Sequence, residues 1–228
     1  MTTTASTPTT ATPCTPEQRI TRSLLGYGII AGPFYVTVSL VQAFTRDGFD
    51  PTTHAWSQLA LGDLGWIQVV NLTLTGLMVL AFAIGLNRSL TDGPGSRWAP
   101  RLVGGFGVAM MVAAAFRADP SYGFPLGTPD GPGTFSTHGT IHLAAAAIGF
   151  TCLAAAGFVI ARRYGAEGRQ RAALASRVAA VVFFAGFVAM GASGGAAAGN
   201  LAFTAAVITV FGWLTALAVD QYRNTRAA

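Results

Sequence analysis

Six apolar runs, each near the length that crosses a bilayer, follow one another along this chain with short polar segments between them. They cover residues 23–44, 66–86, 102–116, 139–160, 178–190 and 201–219. At 1.5 Å per residue, about 20 residues of helix cover the ~30 Å hydrocarbon layer. The third and fifth runs are shorter. Residues 98–100 extend the third into the interface, where the Trp98 indole is favoured, and small residues extend the fifth. Lipid offers no partner to a free N–H or C=O, so the spans must close their backbone hydrogen bonds within helices. The predicted fold class is therefore all-α, a polytopic membrane bundle of about six helices. The 228 residues are 52% hydrophobic and 10% charged. A soluble domain carries about a quarter charged residues, so too little polar surface remains for a water-soluble globule.

The charge pattern sets an orientation. All 14 basic residues are Arg. Arg19 and Arg22 precede the first run; Arg88, Arg97 and Arg101 lie between the second and third; Arg162, Arg163, Arg169, Arg171 and Arg177 lie between the fourth and fifth; Arg223 and Arg226 follow the sixth. The other side holds only Arg46 and Arg117. The positive-inside rule then places both termini in the cytoplasm of a multi-pass cell-membrane protein. The net charge of +5 reads as this topology signal, and nucleic acid is not an expected partner. The absence of Lys excludes chemistry through a Lys Schiff base. Cys14 and Cys152 form neither a disulfide framework nor a CxxC motif.

Domain organisation is simple: a Thr- and Pro-rich tail at 1–18, expected to be disordered, a six-helix domain at 19–222, and a cytoplasmic tail at 223–228. The first tail has no apolar core and so is no signal peptide. Gly28, Gly32 and Pro33 in the first span suggest close helix contact and a kink, although Gly and Pro are also common in membrane helices generally.

With that orientation, all three histidines fall on the outer side, beside Asp47, Asp50, Asp63, Asp119 and Asp130. His138 and His142 are four apart and share a helix face, a spacing that can chelate zinc. His54 is a candidate third ligand and Asp119 or Asp50 a fourth. A site with three protein ligands would leave a position for water and suit hydrolysis. The competing reading is that these histidines bond headgroups or loop carbonyls. Asp50 before Pro51 is expected to cap a short helix carrying His54, Trp56 and Ser57, and Asp63 to cap the second span. Ser57, three residues after His54, is a candidate nucleophile whose proximity to a histidine is more simply chance. Met110 and Met111 are expected packing residues.

Polar residues inside hydrocarbon are costly and usually face a cavity or the bundle interior. Gln68, Asn71 and Thr75 share one face of the second span, Ser39, Gln42 and Arg46 end the first, and Asn200 and Thr204 open the sixth. All lie in the outer halves. With Arg117 they define an expected outward pocket, in which Gln68, Asn71, Asn200 and Thr204 face one another. The alternative is that these groups bridge packed helices.

The string GFDPTTHAWSQLALGDLGWIQVVN, followed by ADP and HGTIH, resembles a family of six-helix prokaryotic membrane proteins catalogued as domain of unknown function 998. The resemblance covers nearly the whole chain after the tail and implies the six-helix fold. It makes His54, Ser57, Asp119 and His142 the positions to watch, and brings no activity with it. In ligand type alone the outer His, Asp and Ser set also looks like that of membrane hydrolases such as alkaline ceramidases. Three readings stand at this level. One is a metal-dependent hydrolase acting on a lipid-like substrate, with His54, His138, His142 and Asp119 holding zinc. The second is a terpene cyclase in which Asp50 or Asp119 protonates a terpenoid among aromatic rings. The third is a non-catalytic protein that binds or transports a lipidic small molecule. Membrane lipid is a partner in all three.

Overall fold

The computed structural model describes residues 15–225. Six helices fill them: α1 (Pro16–Thr45), α2 (Gly65–Ser89), α3 (Trp98–Ala115), α4 (Thr137–Ala166), α5 (Gln170–Ala192) and α6 (Ala197–Asn224), with a short 3-10 helix (Trp56–Ala60) before α2. All six are long and apolar enough to cross a membrane. Five contain the whole run expected from sequence, α3 stops one residue short of it at Ala115, and most overshoot it by a turn or more. The 30 residues of α1 rise roughly 45 Å at 1.5 Å each, beyond the hydrocarbon layer. That helix starts at Pro16, inside the segment expected to be an unstructured tail. Thr15 and Gln18 close a reciprocal capping box there, with Pro at the first helical position. Cys14 and Arg226 lie outside the described residues.

Each helix packs against its neighbours in sequence, and α6 returns to α1, so the six form a closed ring. Small residues let the backbones approach at every seam. A Cβ added at Gly28 would lie 2.5 Å from the Phe82 ring and 2.8 Å from Ala218, and one at Gly32 would lie 2.8 Å from the Phe211 carbonyl. Gly76 and Gly107 do the same between α2 and α3, Gly149 against Ala109 between α3 and α4, Gly157 against Ala180 between α4 and α5, and Gly186 against Ala206 between α5 and α6. Without water to drive apolar surfaces together, close packing of this kind is what holds membrane helices. The first-span glycines are thus packing residues of the α1–α6 and α1–α2 seams.

The distribution of polarity is that of a membrane protein. Ile30, Phe44, Ile84, Val108, Ile148 and Val188 point outward, while Ser39, Gln42, Gln68, Asn71 and Thr75 are buried. An outward surface this apolar would be a severe liability in water.

The two ends of the ring differ. At the end carrying the start of α1 and the end of α6, Arg169 donates two hydrogen bonds to the Asp220 carboxylate (3.0 and 2.6 Å) and Tyr164 donates a third (2.9 Å). This ties the α4–α5 turn to α6. At the opposite end the α1–α2 and α3–α4 connections fold over the ring as a lid.

Candidate functional site

The lid is built on Arg46, the residue at which α1 ends. Its guanidinium donates to the carbonyls of Leu59 (3.0 Å) and Leu61 (2.6 Å) and lies over the Phe124 ring. Burial pulls its affinity for the proton below the usual arginine value, with Asp63 opposing that effect. His54 forms the second tie. Its Nδ1 accepts from the Asp50 N–H (2.8 Å), which leaves Nε2–H to donate to the Tyr122 carbonyl (3.0 Å). The ring is buried between Phe49 and Phe124. Asn200 at the start of α6 donates to the carbonyls of Pro51 (2.8 Å) and His54 (3.0 Å), and Gln58 donates to the Ser121 hydroxyl (2.7 Å). Arg46, His54 and Asn200 therefore satisfy carbonyls of the two irregular connections, as buried backbone requires, and Gln58 ties the two together.

Zinc does not fit the residues proposed for it. Both nitrogens of His54 are engaged with the backbone, so it has no lone pair to give a metal. Asp119 accepts from the Ser136 N–H (2.8 Å) and hydroxyl, and Ser136 in turn accepts from Gly139 N–H to cap α4. A Cβ at Gly139 would run into the Asp119 carboxylate, so the glycine of HGTIH makes room for this cap. His138 is exposed beside Phe116, whereas His142, one turn on, is buried. Among the described residues no three His, Cys, Asp or Glu side chains gather where they would hold a metal. The competing expectation, histidines bonded to loop carbonyls, describes His54, whereas His142 bonds the carbonyls at the end of α3.

The capping assignments also change. Asp50 accepts from the Thr52 N–H (2.8 Å) and hydroxyl (2.7 Å) and from the Thr53 hydroxyl, and these bonds hold its carboxyl below the usual range. It closes a turn ending at His54, and the 3-10 helix begins separately at Trp56. Leu64, not Asp63, occupies the cap position of α2, without a side-chain bond.

The expected polar pocket divides into separate features. Gln68 Oε1 accepts from Gln42 Nε2 (2.8 Å) and Asn71 Nδ2 (3.1 Å), Gln68 Nε2 donates to Ser39 Oγ (3.2 Å), and Asn71 Nδ2 also reaches the Tyr35 carbonyl (3.2 Å). These residues zip α1 to α2, the bridging role held as the alternative above. Asn200 serves the lid, Thr204 is half-buried and Arg117 is exposed. None of them lines the cavity described next.

That cavity, of about 100 Å³, lies within the lid half of the ring and is bordered by all six helices and by Ala55, Trp56 and Ser57 beneath the lid. Aromatic rings dominate it. Phe150 of α4 sits 5.0 Å from Phe183, 5.0 Å from Phe187 and 5.6 Å from Phe203, centroid to centroid. Tyr35 stacks on Phe211 at 4.7 Å on the other side. No Arg, Asp or Glu lines it among the described residues, and Ser57 and His142 supply much of its polarity. Leu143 lines it while 45% exposed on the outside of the ring, so the wall there is one side chain thick. Met110, expected to be packing, forms part of the wall. A wider depression of about 700 Å³ at the opposite end is polar, and its Arg163 is paired with Glu167 at 2.8 Å.

Sequence reasoning singled out His142 and Ser57 but missed the phenylalanines. Phe in a membrane helix is as readily lipid-facing as inward, and only the ring closure decides which.

A closed ring of six apolar helices, apolar on its outer face with its buried polar side chains bonded within, capped at one end over an aromatic cavity, defines a multi-pass membrane protein. The chain matches, over residues 29–220, the model of a family described as a protein of unknown function, DUF998, and it belongs to that family. No curated protein and no solved structure matches it.

Proposed function

We propose that this protein binds the end of an apolar, lipid-like molecule in the cavity beneath the lid, as a binding or transport protein of the cell membrane with the lid facing outside. The cavity itself carries the reading: all six helices line it, five of them with an aromatic ring, and Ala55, Trp56 and Ser57 border it beneath the lid. Its size sets what it can hold. A cavity of roughly 150 Å³ lined by apolar side chains accepts benzene, and sites that enclose a drug-sized molecule run to about 300 Å³ or more. At about 100 Å³ the cavity suits a chain end, with the remainder in the lipid beyond Leu143.

The hydrolase reading needs a convergent donor set, which His54 and Asp119 do not join. The cyclase reading needs an acid inside the aromatic wall, and neither Asp50 nor Asp119 lines it. The outward direction of the lid rests on the arginines, which flank the opposite end.

The test is to purify the wild type and Ala146→Phe in mild detergent and compare co-purifying lipids by native mass spectrometry. Ala146 lines the cavity and is half-buried, so a phenyl ring there fills the space with little change at the seams. A bound species present on the wild type and lost from the folded variant is the expected result. An identical lipid complement on both would refute the reading.

A further inference from the structure

We infer that the cavity selects an uncharged ligand whose head donates a hydrogen bond, an apolar alcohol, with His142 Nε2 as the acceptor. This rests on the cavity being a binding site and goes further, to the chemistry of the head.

The last carbonyls of α3 have no partner within the helix. His142 supplies one. Its Nδ1 lies 3.0 Å from the Ala113 carbonyl and 2.9 Å from that of Phe116. Carbonyl oxygens only accept, so Nδ1 must carry the proton. In its neutral form the ring then presents a lone pair on Nε2. That nitrogen has no hydrogen-bond partner among the described residues, and it is not among the side-chain atoms sealed without one. Ala113, whose carbonyl helps to fix this tautomer, lines the cavity beside His142, and Nε2 is the ring nitrogen left without a partner among the described residues.

The rest of the wall narrows the ligand further. Ser57 and Tyr35 carry hydroxyls that can donate or accept, so they fit an alcohol oxygen without demanding it. Among the described residues no Arg lines the cavity to balance a phosphate or carboxylate, and no Asp or Glu to balance an ammonium. A charge placed there would lose its hydration uncompensated. A neutral head that donates one hydrogen bond satisfies Nε2 and leaves no charge unpaired.

The experiment uses the full chain in lipid nanodiscs and three photoreactive ten-carbon probes that differ only in head group: a primary alcohol, its methyl ether and the carboxylate. Each carries a diazirine near the head, and the cross-linked residue is mapped by mass spectrometry. Cross-links to Phe183, Phe187 or Phe203 from any of the three establish that the cavity binds a chain end. Their absence for all three would sink the binding reading and this inference with it.

The ranking tests the inference alone. The alcohol is expected to label about tenfold more strongly than the ether, because an ether leaves a buried acceptor unsatisfied. His142→Phe should remove that difference while ether labelling persists. Equal labelling by alcohol and ether in the wild type, or a carboxylate that labels best, overturns the assignment. The latter outcome would mean that the ring is an imidazolium that donates from both nitrogens. Because the wild-type ranking decides the matter, the test does not depend on the folding of the variant.

Discussion

Replacing Arg46 with Leu should loosen the lid while leaving the ring intact. The guanidinium makes two hydrogen bonds, to Leu59 O at 3.0 Å and Leu61 O at 2.6 Å, and lies 5.4 Å from the Phe124 ring centroid. Bonds from a charged donor contribute roughly 1.5–3 kcal/mol each, and partial exposure of Arg46 favours the low end. Together they are worth about 3 kcal/mol, or roughly 100-fold in the local opening equilibrium. Amide hydrogen exchange reads this directly. The N–H groups of His54, Gln58 and Leu61, bonded to Asp50 O, Ala55 O and Gln58 O, should exchange about 100-fold faster. Amides in the middle of α2 and α4 should be unchanged. Arg46→Lys should fall between, since an ammonium keeps the charge but not the two-pronged geometry. A change of less than threefold at the lid amides of Arg46→Leu would show that Asn200, His54 and Gln58 hold the lid without it.

Gln68→Leu removes the acceptor shared by Gln42 and Asn71 and the donor to Ser39. At ~0.6 kcal/mol for each bond between membrane helices, it should lower unfolding stability in detergent by about 1–2 kcal/mol, and a gain in stability would mean that the seam costs more in desolvation than it returns. The Asp50 carboxyl is held below its ordinary value of 3.8, so its contribution to lid order is complete above that value and lost as pH falls through the folded-state pKa. Lid exchange in the wild type should therefore be flat from neutral pH to about pH 4 and rise below it once intrinsic rates are divided out, whereas Asp50→Asn should show no such rise. In a chain with both native cysteines replaced, Asp130→Cys should react with a membrane-impermeant thiol reagent on intact cells and Ala166→Cys should not; the reverse pattern would invert the proposed orientation.

What the sequence determined by itself was the set of elements and their environment. Spans the length of a bilayer and a composition with 10% charged residues admit only a helical membrane bundle, because backbone groups in lipid must pair within their own segment. The polar residues of α1 and α2 were legible as inward-facing for the same reason, since Gln68 and Asn71 cannot be left to hydrocarbon. Where their bonds go was not legible. Gln68 finds Gln42 and Ser39 across the α1–α2 seam, and Asn200 finds carbonyls of the lid, because ring closure sets which helices are neighbours. The histidines show the same division. Spacing put His138 and His142 on one side of α4, but the rotation of that helix exposed the first and buried the second against the end of α3. His54 shares their side of the membrane yet spends both nitrogens on the lid backbone. The cavity belongs wholly to the tertiary structure: Phe150, Phe183 and Phe203 come from three helices, and no periodicity within one span records that their rings meet.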